Sequence, residues 1–233
     1  MQLPLADPLS DILRRTQAAM IEAFGRIVRP PEKRRDALWV LVQGVIGARS
    51  KTRVSNASTD ALIAAYSSWD AVAAAPVEEL EEALKTQTFP GQSARRLKDC
   101  LCAIAEKQGS VDLSHLGKLD TAEAMAWLEQ LPGVARKNSA GVMNTSTFDR
   151  RAMVIDGHHK RIMQRMGLVP PKADTARAYD ALMPLVPEEW SAADMDEHHL
   201  LLKVLGQRFC RPSHPDCAQC PVRADCETGC REG

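Results

Sequence analysis

The order of apolar and polar positions along the chain predicts a series of helices and no large sheet. Residues 11–27 follow an amphipathic pattern that ends at Pro30 and Pro31, because proline lacks an amide hydrogen and restricts the residue before it. Good helix formers are plentiful, and alternating runs of β-branched residues, which mark half-buried strands, are lacking. We therefore predict an all-α fold. Further helices are predicted over 36–48, 58–67, 68–75, 76–86, 158–166, 173–185 and 192–206.

A tight turn interrupts this pattern in the second half of the chain. A helix predicted over 121–130, with Thr121 as its N-cap, is followed by Leu-Pro-Gly-Val at 131–134 and by another helix over 135–145. Such a turn leaves the amide groups at the start of the second helix facing outward, where they can bind a phosphate. An ordinary helix connector explains the tetrapeptide equally well.

Composition and charge narrow the class of protein. The chain has 233 residues, of which 45% are apolar, and its net charge is zero. This length suits one substantial domain or two small ones. Residues 134–165 nevertheless contain seven basic and two acidic side chains. A local basic segment of this kind suits a polyanionic partner whatever the total charge.

The first residues and the cysteines bear on location and on metal binding. MQLPLADPLSDILRR lacks a basic stretch followed by a long apolar core, and no apolar run approaches the ~20 residues of a membrane span. We therefore expect a cytoplasmic protein without a membrane segment, associated with the nucleoid in a bacterium. Five of the seven cysteines fall within the last 24 residues. In an intracellular protein this indicates metal ligation rather than disulfides.

Four segments resemble one known family. LPGVARKNSAGVMNT is similar to the helix-hairpin-helix of the endonuclease III family of DNA glycosylases, and DALWVLVQGVIGARSKTRVSNAST resembles that family's early apolar helix. TFPGQSARRLKDCLCAI resembles the turn and helix before the hairpin, and VIDGHHKRI resembles the segment with the catalytic aspartate. With the cysteine tail, the resemblance covers roughly residues 36–226. It implies a base-excision repair enzyme that acts on double-stranded DNA containing damaged bases or abasic sites.

The resemblance implies a catalytic pair, Lys137 and Asp156. A neutral lysine amine can attack C1′ of the damaged nucleoside, displace the base and hold the sugar as a Schiff base, from which elimination breaks the strand. Asp156 would stabilise the cationic sugar or take part in proton transfer. Its position just before a predicted helix also suits a plain N-cap.

Other positions are implied to contact DNA. The enzyme must fill the gap that the extruded nucleotide leaves, and Arg49 and Phe89 stand where relatives carry gap-filling residues. The alternatives to these gap-filling roles are that Phe89 is a core aromatic and that Arg49 contacts a phosphate from the surface. The other expected DNA-binding residues are Leu131, Gly133, Ala135, Arg136, Arg161 and Arg208.

The resemblance also implies two domains and a cofactor. A six-helix bundle over 30–149 would contain the hairpin, and an iron-sulfur domain would comprise 1–29 and 150–233. The DNA would lie across the groove between them, with Lys137 and Asp156 on opposite sides. The expected cluster ligands, with six, two and five residues between them, are Cys210, Cys217, Cys220 and Cys226. Four thiolates suit a [4Fe-4S] cluster, and zinc is the alternative. We expect a monomer.

Substrate choice stays open at the sequence level. Residues 49–52 read Arg-Ser-Lys-Thr, where relatives typically have glutamine, alanine, threonine and aspartate in the damage pocket. Oxidised pyrimidines are the expected substrates. The alternatives are a glycosylase for uracil or mismatched thymine, and a protein that binds lesions with weak or no catalytic activity. An adenine glycosylase is disfavoured, because that branch generally lacks a lysine at position 137.

Two pairs of neighbouring histidines, 158–159 and 198–199, stand apart from these motifs. Neighbouring residues of a helix point about 100° apart, so neither pair chelates a metal easily. We expect His159 at the surface or on a phosphate, and the second pair between packed helices.

Overall fold

A computed structural model describes residues 8–231 of the chain. Within that range the secondary structure is helical, with one isolated β-bridge between Arg35 and Ser146 and no named strand. The predicted all-α fold is confirmed. The α-helices are α1 (Pro8–Phe24), α2 (Ala37–Ile46), α3 (Thr52–Tyr66), α4 (Trp69–Ala74), α5 (Val77–Ala83), α6 (Pro90–Gln108), α7 (Thr121–Leu128), α8 (Arg136–Thr145), α9 (Gly157–Met166), α10 (Thr175–Leu182), α11 (Ala192–Arg208) and α12 (Glu227–Arg231).

Several helix ends differ from the sequence prediction. The first helix ends at Phe24 rather than Ile27, because Gly25 takes a left-handed conformation with φ 77°. The predicted N-cap of the hairpin's first helix was wrong by one residue. Asp120 caps α7, forming a reciprocal capping box with Glu123, and Thr121 is the first helical residue.

Contacts divide the chain into two units. One is Arg34–Arg150, and the other joins Met1–Lys33 to Arg151–Gly233, of which 8–33 and 151–231 are described. We refer to them as the bundle unit and the terminal unit. That residues 1–29 and 150–233 form a cluster-bearing domain stays a prediction.

The bundle unit is built around α2. This helix is almost wholly apolar, buries Leu41, Val42, Val45 and Ile46, and packs against α3, α6 and α8. Gly44 lets α8 approach closely, since a Cβ atom at this position would lie 3.1 Å from Oδ1 of Asn138. The helix that begins with Arg136 and Lys137 is thereby held against the core.

The terminal unit packs α9 and α1 against α11. Its apolar core includes Leu13, Ile162, Met195 and Leu202. Buried acids of α11 also bind the chain after α1: Asp196 pairs with Arg29 at 2.8 Å, and Glu197 accepts a hydrogen bond from the amide of Ile27 at 3.0 Å. These contacts join segments about 170 residues apart in the chain.

None of the helices in the described part of the chain has the length and apolar character needed to cross a membrane.

Candidate functional site

The turn between α7 and α8 exposes a lysine at the start of a helix. Gly133 adopts φ 77°, which a residue with a side chain rarely does. Ala135 is the N-cap residue of α8 and makes no side-chain hydrogen bond to the helix. No side chain of the cap residue therefore satisfies the first amides of α8, which suits an anion. Lys137 follows as the second residue of the helix and is exposed.

Glu129 braces this hairpin. It is the C-cap residue of α7, and its Oε1 atom accepts hydrogen bonds from Nε of Arg136 at 2.7 Å and from Oγ of Ser139 at 2.6 Å. Both partners lie in the first turn of α8, on either side of Lys137 in the sequence. Arg136, predicted to contact DNA, has its charge partly neutralised by this acid. Sequence reasoning missed Glu129, although an acid and a base flanking a tight turn could have indicated the pair.

The remaining hairpin residues divide between core and surface. Leu131 is 2% exposed, so its side chain belongs to the core and only its backbone could approach DNA. Gly133 and Ala135 are exposed. The side chain of Arg96, on α6, lies beside the turn, 3.8 Å from where a Cβ atom of Gly133 would be.

The structure brings the two predicted gap-filling residues of the bundle unit together. Arg49 follows α2 and Phe89 immediately precedes α6, and the guanidinium carbon of Arg49 lies 5.9 Å from the centre of the Phe89 ring. Phe89 is 41% exposed. The alternative that it is a core aromatic is therefore wrong.

Asp156 is the N-cap of α9 in the terminal unit. Its Oδ1 atom accepts hydrogen bonds from the amides of His158 at 2.8 Å and His159 at 2.9 Å. Burial raises the pKa of this carboxyl group, but the neighbouring His199 and the bonded amide of His159 outweigh it, so the pKa is lower than usual. The carboxylate is charged at neutral pH, and the plain N-cap role is present whether or not the residue also acts in catalysis.

A buried group of histidines lies behind Asp156. The rings of His198 and His199 have centroids 5.6 and 6.2 Å from that of His159. His159 and His198 are 0% exposed, so the prediction of a surface or phosphate-contacting His159 was wrong. The predicted packing role of His198 is confirmed, and its ring lies 4.9 Å from that of Trp190. The helical periodicity could have indicated this burial, since Ile162, Met163 and Met166 lie three, four and seven residues after His159. His158, by contrast, is followed at three and seven residues by Arg161 and Arg165.

Hydrogen bonds assign the tautomers of the two fully buried rings. Nδ1 of His159 lies 3.0 Å from the carbonyl oxygen of Val154, and Nδ1 of His198 lies 2.7 Å from Oε1 of Gln17. Both oxygens only accept, so each Nδ1 carries a hydrogen and each Nε2 an unprotonated lone pair. Both Nε2 atoms are buried without a hydrogen-bond partner among the described residues. Burial lowers the pKa of His159 to about 3, and that of His198 lies well below its usual value for the same reason.

The four predicted ligand cysteines of the terminal unit share one cavity. Cys210, Cys217, Cys220 and Cys226 line one partly open cavity. Its other walls include the apolar side chains of Ile162, Met166, Leu205, Phe209 and Val222. In the part of the chain that is described, no three His, Cys, Asp or Glu side chains converge as a single metal ion would require.

Polar groups around the cavity suit thiolate sulfurs. Nη1 of Arg165 donates to Sγ of Cys210 at 3.1 Å, and the amide of Gly229 donates to Sγ of Cys226 at 3.4 Å. Burial raises the pKa of the Cys220 and Cys226 thiols. Their ionisation therefore needs positive charge nearby, which bound metal ions supply.

The other arginines and cysteines have different surroundings. Arg161 donates to the carbonyl oxygens of Cys210 at 2.7 Å and Gly206 at 3.1 Å, so its guanidinium holds the end of α11. Arg208 is exposed, 5.6 Å from the ring of Phe24. The predicted DNA contacts of both stay predictions. Cys100 is buried, and burial raises the pKa of its thiol to about 12, in line with the inert role expected. Cys230 is exposed.

Comparison with known proteins identifies the family. Residues 42–188 match the sequence model described as HhH-GPD superfamily base excision DNA repair protein. Endonuclease III of Thermotoga maritima is 27% identical over 219 residues, which cover 92% of this chain and 95% of that protein. Endonuclease III of Bacillus subtilis is 27% identical over 191 residues, which cover 82% of this chain and 80% of that protein. A DNA glycosylase/AP lyase of Arabidopsis thaliana is 26% identical over 226 residues, which are 90% of this chain but 16% of that relative.

Two solved structures share the fold. A non-covalent endonuclease III–DNA complex gives a TM-score of 0.74 at 22% identity and covers 96% of this chain and 97% of that chain. A thermostable thymine-DNA glycosylase gives a TM-score of 0.75 at 17% identity and covers 97% of this chain and 100% of that chain. The chain belongs to the HhH-GPD superfamily of base excision DNA repair proteins. Within this superfamily it is a DNA glycosylase and abasic-site lyase of the endonuclease III type.

Proposed function

We propose that this enzyme removes a damaged base with Lys137 as nucleophile and then breaks the DNA strand through a Schiff base. The neutral amine attacks C1′, the bond from C1′ to the base breaks, and opening of the sugar gives the Schiff base, from which elimination releases the 3′ side of the strand. The observation that carries the proposal is the position of Lys137. It is an exposed lysine in the first turn of α8, directly after the hairpin.

We assign DNA binding at the hairpin to the backbone of 131–135. The uncapped start of α8 offers amide groups and the positive end of the helix dipole to a phosphate. Arg136 adds charge there, reduced by its pairing with Glu129. Double-stranded DNA with a damaged base or an abasic site is the proposed partner, and a monomer is the proposed state.

Asp156 is the proposed carboxylate partner in the reaction. A charged carboxylate stabilises the positive charge that develops on the sugar as the base leaves. Both capping hydrogen bonds of Asp156 use Oδ1, so the second oxygen takes part in neither of them. The Asp156 side chain is therefore suited both to cap α9 and to stabilise the charged sugar.

We propose that the cysteine cavity holds a [4Fe-4S] cluster bound by Cys210, Cys217, Cys220 and Cys226. Thiolates that each bind a different iron need not converge on one point, whereas zinc needs four ligands within about 2.3 Å of one ion. Zinc sites usually contain two close cysteine pairs, whereas here only Cys217 and Cys220 are close in the sequence, which favours the cluster. Its role would be to hold the tail from 209 to 231, which otherwise contains only short helices.

Oxidised pyrimidines are the proposed substrates. The residues at 49–52 differ from those typical of the resembling family, so uracil and mismatched thymine are the competing bases. A panel of duplexes, each with a single lesion, decides between them by initial rate of base release.

Borohydride trapping on a duplex with an abasic site tests the proposed chemistry. The reductant converts a Schiff base into a stable covalent adduct, so the wild-type enzyme should give an adduct that Lys137→Ala loses. Lys118→Ala, at another exposed lysine of the same unit, is the matched control and should keep it. Tight binding of the wild-type enzyme without any adduct would overturn the proposed Schiff base at Lys137.

A further inference from the structure

Helix α1 contacts the cysteine tail, residues 209–231, although the two segments lie near opposite ends of the chain. Arg15, in the middle of α1, pairs with Asp225, which directly precedes the proposed ligand Cys226. The Nη2 and Nε atoms of Arg15 donate to Oδ1 of Asp225 at 2.6 and 3.0 Å. The side chain of Asp225 is only 20% exposed. This ion pair therefore ties α1 to the tail immediately before a ligand.

A contact between two rings joins the same segments at the end of α1. Phe24, the last residue of the helix, stacks on Phe209, with ring centroids 6.1 Å apart and planes that differ by 20°. Phe209 lines the cysteine cavity and directly precedes Cys210. The guanidinium carbon of Arg208 lies 5.6 Å from the centre of the Phe24 ring. A ring of α1 thus packs against a wall of the cavity, beside the first ligand.

Phe209 also shapes the loop between the first two ligands. Its carbonyl oxygen accepts hydrogen bonds from the amides of Arg211 and Asp216, both at 2.9 Å. Arg211 follows Cys210 and Asp216 precedes Cys217, so both ends of this loop are held at Phe209. A displacement of Phe209 would therefore move both ligands.

The cysteine tail has little secondary structure with which to resist opening. Its two helical segments, 223–225 and 227–231, contain three and five residues, and helices this short are not stable by themselves in water. Such a segment opens locally more often than the core unfolds. The contacts that are lost on opening then determine how often solvent reaches the ligands.

We propose that α1 closes the cluster site, with Arg15 and Phe24 holding the cysteine tail in place and slowing the release of iron. This inference rests on the proposed function, because it requires the [4Fe-4S] cluster. Release to a chelator is a ligand exchange without electron transfer. The bond from iron to the cysteine sulfur breaks, iron binds the chelator, and the thiolate keeps the electron pair and takes up a proton, while the inorganic sulfide leaves as hydrogen sulfide. Both residues are positioning residues, which act through Asp225 and Phe209.

Iron release to EDTA under anaerobic conditions tests this closure on the loaded protein. EDTA binds ferrous and ferric iron alike, so neither an oxidant nor a reductant is needed, and the loss of the cluster's visible absorption gives the rate. Arg15→Ala should release iron about 1.5- to 5-fold faster, the range expected from a partly exposed ion pair. Phe24→Ala should release it about 2- to 12-fold faster through the loss of the ring pair, and Phe24→Leu should restore part of the slow release.

Arg14→Ala is the matched control, at the neighbouring residue of α1. Arg14 also forms a salt bridge, to Glu189 at 2.7 Å, but Glu189 lies outside the cysteine tail. Arg14→Ala should therefore release iron at the wild-type rate. Equal acceleration by Arg14→Ala and Arg15→Ala would show that release follows the general packing of α1, which would overturn the proposal.

A double-mutant cycle isolates the contact between α1 and the tail. If Arg15 acts through Asp225, the double variant Arg15→Ala/Asp225→Ala should release iron no faster than Asp225→Ala alone. Effects of the two substitutions that multiply would mean that Arg15 acts elsewhere and would overturn its assigned role. Wild-type release rates in both Arg15→Ala and Phe24→Ala would overturn the whole proposal.

The inference and the proposed function fail in different ways. Chemical analysis of the wild-type protein for iron and sulfide reports on the cluster itself, and their absence would refute the cluster and the closure together. Iron and sulfide that are present, but released at one rate by the wild type and all variants, would refute only the closure by α1. Trapping of the adduct at Lys137 reports separately on the proposed chemistry.

Discussion

Protonation of His159 should make the protein less stable as the pH falls below about 6.5. The pKa of this buried side chain is lowered from 6.5 to about 3, so between these values the unfolded state binds a proton that the folded state excludes. The free energy of unfolding then rises with pH. The stabilisation is fully present above pH 6.5 and is lost progressively as the pH falls towards 3.

The magnitude follows from the size of the pKa shift. Each pH unit within this window changes the free energy of unfolding by about 1.4 kcal/mol per proton. Going from pH 6.5 to pH 5 should therefore remove about 2 kcal/mol through His159 alone. His198, whose pKa is also lowered by burial, acts in the same direction. Asp156 does not contribute here, because its pKa is lowered from 3.8 and its effect lies below that pH.

Urea unfolding at several pH values between 5 and 7.5 measures the effect. The circular dichroism of the helices and the fluorescence of tryptophans such as Trp190, which lies beside His198, monitor the unfolding. His159→Leu removes the titrating group. His159→Asn places an amide donor near the position of Nδ1, so it keeps a partner for the carbonyl of Val154. His214→Asn is the matched control at an exposed histidine of the same unit, whose φ of 52° an asparagine tolerates.

In both His159 variants, the free energy of unfolding should fall by about 2 kcal/mol less than in the wild type between pH 6.5 and 5. This holds whatever the substitutions do to the stability at pH 7.5. The control should keep the wild-type dependence. A wild-type stability that does not change over this pH range would refute the reasoning, as would His159 variants whose stability changes with pH as steeply as that of the wild type. All samples should have the same measured metal content.

Three further predictions concern the candidate site. Asp156→Asn should keep the N-cap, since asparagine caps as well as aspartate, and should change the free energy of unfolding by less than about 1 kcal/mol. Adduct formation with Lys137 should fall at least tenfold, and a trapping rate equal to that of the wild type would reject the catalytic role. Cys226→Ser should lose bound iron and sulfide by chemical analysis, and Cys230→Ser should retain them; iron retained in the first variant would contradict the ligand assignment. Glu129→Ala should lower the free energy of unfolding by about 1 to 3 kcal/mol, because Arg136 and Ser139 lose their shared acceptor, and an unchanged urea midpoint would contradict this brace.

The sequence by itself determined the helices, the hairpin turn and the spacing of the cysteines. Each depends on residues close together in the chain: proline and glycine at the turn, apolar positions three or four apart, and thiols at set intervals. These local patterns also supported the family resemblance. Even here the N-cap of α7 was missed by one residue, because Asp120 and Thr121 are both good caps.

Only the tertiary structure decided which polar side chains are buried and what they bind. His198 meets Gln17, 181 residues away in the sequence, and Arg161 binds the carbonyl of Cys210, 49 residues away. Arg49 and Phe89 come together because the chain after α2 is tied to the turn before α6. No periodicity records such pairings, because each is set by how helices pack, and a polar residue is tolerated inside only where that packing supplies a partner.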